Sequence, residues 1–216
     1  MSTSLLYHTQ GTRDFQHQSF VFDEGRLNAH ITRHPKKFAC SQCGCWDVTP
    51  TPVGTRTIRG LPMGSKQCDL VVRMHRIRCH KCGAFLMESL PFLPGQKARV
   101  TRALARSVIE LRPEMSISAL ARHFDLNWTT VKEIEKTHLR QKYKHIRLRD
   151  IKFLGIDEVH VGKKMGDKGY ITVARDMQSG AVVHVGKGRG GDALKGLERR
   201  LKSSKCRIEA VAVDFA

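Results

Sequence analysis

The 216-residue sequence predicts a multidomain α+β protein in which strands come first, helices follow and strands return. Three observations support this prediction. Two Cys-x2-Cys pairs enclose a segment with Pro and Gly turns, apolar residues then recur with a helical period, and strand-like alternation returns towards the end of the chain. Such changes of pattern indicate several small domains in series.

The N-terminal segment, residues 1–36, is predicted to form a β-hairpin. Apolar residues alternate with others around Phe20 and Phe22, and again from Leu27 to Ile31. Between these runs, Asp23-Glu24-Gly25 is typical of a turn. The pattern therefore indicates two antiparallel strands.

The next segment, residues 37–95, is predicted to be a zinc ribbon. A Cys-x2-Cys knuckle turns two thiolates towards one point, and Zn²⁺ prefers four such ligands in a tetrahedron. A glycine follows each pair, where the knuckle backbone turns tightly. The alternative, four unrelated buried thiols, is disfavoured by the doubled spacing. The predicted ligands are Cys40, Cys43, Cys79 and Cys82.

Residues 96–140 are predicted to form a helix-turn-helix DNA-binding domain. An apolar stripe from Val100 to Leu111 indicates one helix, and Pro113 bars its continuation. Ser116 can cap the next helix. Over residues 117–136 the pattern then matches a helix-turn-helix position by position.

Three positions define this match. The small Ala121 lies ten residues before Val131, where the two helices would cross closely. Asp125 occupies the turn position at which Gly is usual, and Asp tolerates left-handed backbone better than most residues. Asn127 can cap the second helix, which leaves its outward residues available to a major groove. A plain helical hairpin that serves only as core is the alternative.

The charge of the chain predicts a polyanionic partner. Lys and Arg number 38 against 20 Asp and Glu, for a net charge of +18. Nucleic acid is the first candidate and an anionic membrane surface the second. No apolar run reaches the ~20 residues of a membrane span, and the N-terminus lacks the apolar core of a signal peptide. We therefore expect a cytoplasmic protein with no membrane partner, in which seven cysteines favour metal over disulfides.

Basic and polar residues of both the ribbon and the helical segment are expected to contact DNA. Few acids oppose the basic residues between the cysteine pairs, although an ordinary solvated strand face is the alternative. The predicted DNA-binding residues are Arg56, Arg59, Arg73, Arg76, Arg78, Arg102, Arg106, Asn127, Thr129, Lys132 and Lys136.

Residues 141–150 are predicted to form a basic linker. Residues 151–216 form the last predicted segment, which contains two notable acids. One apolar strand ends at Asp157, two strands and a helix follow, and another apolar strand ends at Asp214. A right-handed crossover would lay the last strand parallel to the first, with both carboxylates side by side. This order of elements opens a ribonuclease H-like α/β domain, here incomplete. Two such carboxylates can hold Mg²⁺ for phosphodiester chemistry; alternatively, each acid only caps a strand end.

Several short motifs, taken in order, resemble the ISL-type insertion-sequence transposases. The first three resemble the zinc-ribbon head of that family and the others the first part of its DDE domain. They are Cys40-Ser-Gln-Cys43-Gly44, Gly60-Leu-Pro-Met-Gly64, Arg78-Cys79-His-Lys-Cys82, Gly155-Ile-Asp157-Glu158, Tyr170-Ile-Thr-Val173 with Asp176, Gly186 to Arg189, and Ile208 to Asp214.

The resemblance implies a function, its cofactors and its partners. Asp157 and Asp214 would be the first two acids of the DDE triad, served by Mg²⁺ or Mn²⁺, and the zinc would be structural. The partners would be double-stranded DNA at transposon terminal repeats and, as an oligomer, the chain itself or a full-length transposase. The setting would be the bacterial cytoplasm, in association with the nucleoid.

The sequence departs from the family at its end. It stops two residues after Asp214, and the third acid of the triad has no counterpart. We therefore expect the N-terminal part of a transposase that binds transposon ends but is catalytically incomplete by itself. The alternative is a non-catalytic DNA-binding remnant or regulator that occupies those ends.

Overall fold

The computed structural model describes residues 2–144, 147–162 and 169–213. The chain forms two compact units, Met1–Gln141 and Lys142–Ala216. Of the helices in the described ranges, none is long and apolar enough to cross a membrane.

One five-stranded sheet joins the N-terminal hairpin to the cysteine-rich segment. The elements of this part of the chain are α1 (Ser2–Gln10), β1 (Phe15–Asp23), β2 (Arg26–Arg33), a 3-10 turn (Pro35–Lys37), β3 (Val48–Arg59), β4 (Gln67–Cys79) and β5 (Phe85–Met87). The strands pair in the order β1-β2-β4-β3, and β5 pairs with the C-terminal end of β4. The predicted hairpin is observed, but β2 also pairs in parallel with β4, so that hairpin and ribbon share one sheet.

A hydrophobic core covers one part of this sheet. Ile31, Ile58 and Leu70 are fully buried in it, and α1 contributes Leu6. The helix is also fixed by Gln10, whose side-chain amide donates to the carbonyl of Leu61 and accepts from its N–H, at 2.9 and 2.8 Å. The sequence pattern did not predict α1, because Leu6 is its one large buried apolar side chain among the described residues and no periodic stripe is present.

Three helices follow the sheet and form the predicted helix-turn-helix arrangement: α2 (Arg102–Leu111), α3 (Ile117–His123) and α4 (Trp128–Lys142). Leu104, Leu120 and Val131 are completely buried in their common core. Ser116 caps α3 as predicted, since its hydroxyl accepts from the N–H of Ala119 at 3.1 Å. Local sequence signals therefore suffice for this part of the fold.

The second unit contains a four-stranded sheet in the order β8-β7-β6-β9. Its strands are β6 (Phe153–His160), β7 (Tyr170–Asp176), β8 (Val182–Lys187) and β9 (Ala210–Val213), and α5 (Gly191–Ser204) precedes the last of them. As expected, β9 runs parallel to β6 and beside it, whereas β6, β7 and β8 are antiparallel. One expectation was wrong: β6 does not end at Asp157 but continues to His160, because β7 pairs with it over that whole length.

Gly186 allows α5 to lie close to β8. A Cβ at this position would lie 2.1 Å from the carbonyl oxygen of Ala193 and 2.9 Å from its Cβ. We expect Gly186→Ala to destabilise the second unit by about 1–3 kcal/mol, because backbone atoms would have to move. Thermal unfolding would measure the loss. The control is Gly191→Ala, since a Cβ at Gly191 meets nothing within 4 Å; equal losses would contradict this explanation.

Candidate metal centre and nucleic-acid interface

Four cysteine sulfurs converge at one end of the first sheet. The Sγ atoms of Cys40 and Cys82 are 3.7 Å apart and those of Cys43 and Cys79 are 3.6 Å apart. All four lie within 4.8 Å of one another. Four thiolates at about 2.3 Å from a tetrahedral Zn²⁺ would be separated by about 3.8 Å. The predicted ligands therefore form a cluster of the size that a metal ion requires.

The two cysteine pairs have matching backbone turns. The N–H of Gly44 donates to the carbonyl of Cys40 at 2.9 Å, and the N–H of Gly83 donates to that of Cys79 at 3.1 Å. Both glycines have positive φ angles, +72° and +71°. A side chain would strain either position, as the sequence analysis expected. These turns direct the two sulfurs of each pair towards the centre of the four-cysteine cluster.

Backbone donors prepare one thiol of each pair for ionisation. The N–H of Cys82 is the main cause that lowers the pKa of Cys79, to about 6, and the N–H of Cys43 is the main cause that lowers the pKa of Cys40. At Cys43, the N–H of Cys45 acts in the lowering direction, but neighbouring thiols and burial outweigh it and raise the pKa to about 12. Because thiolates are the metal ligands, a bound cation would favour ionisation of the remaining thiols.

No other cluster of this kind occurs among the described residues, counting groups of three or more His, Cys, Asp or Glu side chains. His80, which lies inside the second pair, bonds instead to the hydroxyl of Thr49 at 2.8 Å. Cys68 is buried in the sheet core, and burial raises the pKa of its thiol to about 11. These residues therefore have roles apart from the cluster.

The ribbon arginines do not form one patch. Arg76 and Arg78 are exposed and lie close to the Phe85 ring, with guanidinium carbons 5.2 and 5.4 Å from its centroid. Arg73 is also exposed, but it lies on the opposite face of β4 because successive strand residues alternate. Phe85 was not among the predicted residues, although an aromatic residue just after the second cysteine pair was a usable signal; in the sheet it pairs with Arg78.

The two remaining ribbon arginines make intramolecular bonds. Arg56 donates to the carbonyls of Gln96 and Ala98, both at 2.7 Å. Arg59 donates to Asp69 Oδ1 at 2.6 Å and to the carbonyl of Asp125 at 3.0 Å. These bonds give both side chains a structural role, and their contact with DNA stays a prediction.

The outer face of α4 is polar and basic. Asn127 caps the helix, since its Oδ1 accepts from the backbone N–H of Thr129 at 2.9 Å and from its hydroxyl at 2.7 Å. Lys132 lies one turn beyond Trp128, with Nζ 5.0 Å from the indole ring, and Lys136 follows one turn later. All of these side chains are exposed. The four predicted α4 residues thus lie together at the start and outer face of one helix.

A groove of about 810 Å³ separates α2 from α4. Arg102 and Arg106 line its α2 side, and Thr129 lies on the α4 side. Arg102 also donates to the carbonyl of Leu93 at 2.9 Å. The two α2 arginines are therefore brought near the start of α4.

Asp157 is exposed on β6, and its Oδ1 accepts from the N–H of Glu158 at 2.7 Å. Glu158 lies on the opposite face, and its Oε1 accepts from the N–H of Gly190 at 3.0 Å. Within the described residues, the pairing of β6 with β9 ends at Ile156, opposite Val213. Asp214, the other predicted acid, lies outside the described residues.

Comparisons with known proteins agree with this architecture. The helix-turn-helix domain of transposase family ISL3 matches residues 88–139. The transposase for insertion sequence element IS1001 from Bordetella parapertussis is 33% identical over 199 residues, which cover 89% of this chain and 47% of that protein. The chain thus spans about half the length of the curated relative that it matches.

A helix-turn-helix follows a sheet that carries a cluster of four cysteines. The chain is therefore a helix-turn-helix protein with a candidate metal centre. The comparisons relate it to insertion-sequence transposases, because its helical segment matches the helix-turn-helix domain of transposase family ISL3 and most of the chain is similar to an insertion-sequence transposase.

Proposed function

We propose that the chain is the DNA-binding part of an insertion-sequence transposase and binds the terminal repeats of its element. The observation that carries this proposal is the exposed row formed by Trp128, Lys132 and Lys136 on the second helix of the helix-turn-helix. This helix is the one that enters the major groove in such motifs. The net charge of +18 supplies the long-range attraction that phosphate contacts require.

Several contacts support a fixed presentation of this helix. Val131 and Leu120 are fully buried, so the inner faces of α3 and α4 are held together. The Asn127 cap orders the first turn, where side chains of a recognition helix meet base edges. Lys136 also forms an exposed ion pair with Glu133 at 3.4 Å, which a phosphate can replace at small cost.

We further propose that the cysteine cluster binds one structural Zn²⁺. Four soft sulfur ligands at the observed separations suit Zn²⁺, and closed sites of this kind have structural roles. The metal would fix the end of β4 and the short strand β5, which together present Arg76, Arg78 and Phe85. Zinc would thereby order the second part of the chain that we propose to contact DNA.

For the second unit, we propose the first part of a ribonuclease H-like catalytic domain. The order of its strands and the parallel pairing of β6 with β9 support this assignment. Val213, which precedes Asp214, pairs with Ile156, which precedes Asp157. In the proposal, Asp157 and Asp214 would hold Mg²⁺ or Mn²⁺, and the metal would supply Lewis-acid chemistry for DNA cleavage and strand transfer.

The DNA-binding proposal is tested by reversing charge on the recognition helix. We expect Lys132→Glu with Lys136→Glu to weaken binding to a terminal-repeat duplex at least tenfold, or about 1.4 kcal/mol. Two phosphate attractions would become repulsions, so the dependence of affinity on salt should also become shallower. Fluorescence anisotropy titrations between low and moderate salt would measure both effects.

The matched control carries the same change in net charge on another helix. Lys195→Glu with Lys202→Glu alters two exposed lysines of α5 and should reduce affinity much less. Equal losses in the two double variants would show that only overall charge matters. That outcome would remove the groove-reading role from α4.

A further inference from the structure

Arg59 connects the sheet to the turn of the helix-turn-helix. Its Nε donates to Asp69 Oδ1 on the neighbouring strand at 2.6 Å. Its Nη1 donates to the carbonyls of Asp125 at 3.0 Å and Phe124 at 3.5 Å, and reaches Asp125 Oδ2 at 3.3 Å. The side chain is only 18% exposed. Its five fixed donors suit such a bridging role.

A second arginine repeats this connection. Arg26, the first residue of β2, forms ion pairs with both Asp69 and Asp125. Gln67 adds a bond from its side-chain amide to the carbonyl of His123 at 3.2 Å. Three strands of the sheet therefore hold the end of α3 and the turn that leads to α4.

Asp125 is the point at which these contacts meet. It lies in the turn with φ +48°, a left-handed conformation that favours Gly. The carboxylate that makes this residue unusual in a helix-turn-helix is the group that both arginines contact. Its contacts give a physical reason for Asp where Gly would suit the backbone.

The main chain provides a third connection. The N–H of Arg59 donates to the carbonyl of Arg99 at 2.9 Å, and the N–H of Thr101 donates to the carbonyl of Arg59 at 2.8 Å. Thr101 is the residue that caps α2. The end of β3 thus fixes the start of α2 as well as the turn between α3 and α4.

We infer that Arg59 is a positioning residue that fixes the recognition helix relative to the ribbon, so that the two read one DNA site with a fixed spacing. This inference rests on the proposed DNA-binding function. Sheet and helices belong to one compact unit, and the Arg59–Asp69–Asp125 contacts lie between their DNA-contacting parts. The DNA site has two parts, one contacted by α4 and one by Arg76 and Arg78.

The experiment varies the spacing within the DNA. Hydroxyl-radical footprinting first defines the two protected patches on a terminal-repeat duplex. Insertion of about five base pairs between them turns one patch to the opposite side of the helix. Wild type is expected to lose at least tenfold in affinity. Arg59→Gln should bind the natural duplex more weakly and lose less than threefold on insertion, because its two parts can then adjust independently.

A second variant guards against a folding failure of Arg59→Gln. Asp125→Gly removes the shared carboxylate, while Gly suits the positive φ angle, and it should show the same tolerance of the insertion. Val108→Ala is the structural control: it removes buried methyl groups from the helical core but leaves the Arg59 contacts in place. It should lower the unfolding temperature and retain the wild-type preference for spacing.

The outcomes separate this inference from the proposed function. If wild type protects only the patch assigned to α4, DNA binding stands and the two-part site is wrong. If Arg59→Gln loses a single phosphate contact by ethylation interference and keeps the spacing preference, Arg59 is a DNA ligand and the inference fails. If wild type binds no terminal-repeat duplex, the proposed function fails and the inference fails with it.

Discussion

Replacing Cys79 by Ser is expected to lower zinc affinity at least a hundredfold, or about 2.8 kcal/mol. The hydroxyl is a poorer ligand, and the change removes the sulfur whose pKa is lowered to about 6. Zinc binding free energy is folding free energy in small metal modules. The cysteine end should therefore unfold when the metal is lost, whereas the buried core around Leu70 and Ile58 remains.

Hydrogen exchange read by mass spectrometry would locate the effect, and competition with a chromophoric chelator would give the affinity. Protection should disappear around both cysteine pairs and β5 and persist in α2 to α4. Cys45→Ser is the matched control, because that thiol adjoins the first pair but is outside the cluster. A metal-free wild type with full protection at both pairs would refute a structural zinc.

Asp157→Asn is expected to reduce metal-dependent DNA cleavage at least a thousandfold, or about 4.1 kcal/mol in the activation free energy. The amide keeps the shape of the side chain but loses the charge that, in the proposal, would hold Mg²⁺ or Mn²⁺. The assay is single-turnover cleavage of a terminal-repeat duplex by a chimera in which this chain replaces the matching part of the Bordetella parapertussis transposase. Affinity for the duplex should stay the same.

Asp192→Asn controls for the loss of an acid in the same unit, since Asp192 is exposed and pairs with Lys195 at 2.6 Å. It should cleave at the rate of the unaltered chimera. Mn²⁺-induced broadening of β6 amide signals gives a second measurement on the chain itself, and Asp157→Asn should abolish it. Cleavage that survives in Asp157→Asn would favour the alternative in which this chain only occupies transposon ends.

Local signals in the sequence were sufficient where neighbouring residues decide the structure. The cap at Ser116 and the close pair Ala121 and Val131 lie within a short stretch, and each was predicted. The knuckles were equally readable, because Gly44 and Gly83 mark the tight turns that aim the sulfurs. The parallel placement of β9 beside β6 followed from the handedness of crossovers.

The sequence pattern did not predict contacts between residues that lie far apart in the chain. The ion pair of Arg59 with Asp125, far along the chain, was not predicted, since nothing in the sequence around Arg59 indicates it. The contact of Arg59 with DNA stays a prediction. The parallel pairing of β2 with β4 was also not predicted, because the alternation that predicts a strand does not choose its neighbour. The length of β6 past Asp157 likewise depends on β7.

The position of β2 between β1 and β4 also limits how such proteins can be recombined in evolution. A ribbon transferred without the hairpin would leave Gln67 to Arg73 of β4 as an unpaired strand edge, which is a template for aggregation. Leu27 and Ile31 would be missing from its core as well. An exchange of cysteine-rich ends between relatives therefore has to include the first two strands. The unit that can be exchanged is therefore the whole sheet, although its first cysteine lies after the hairpin.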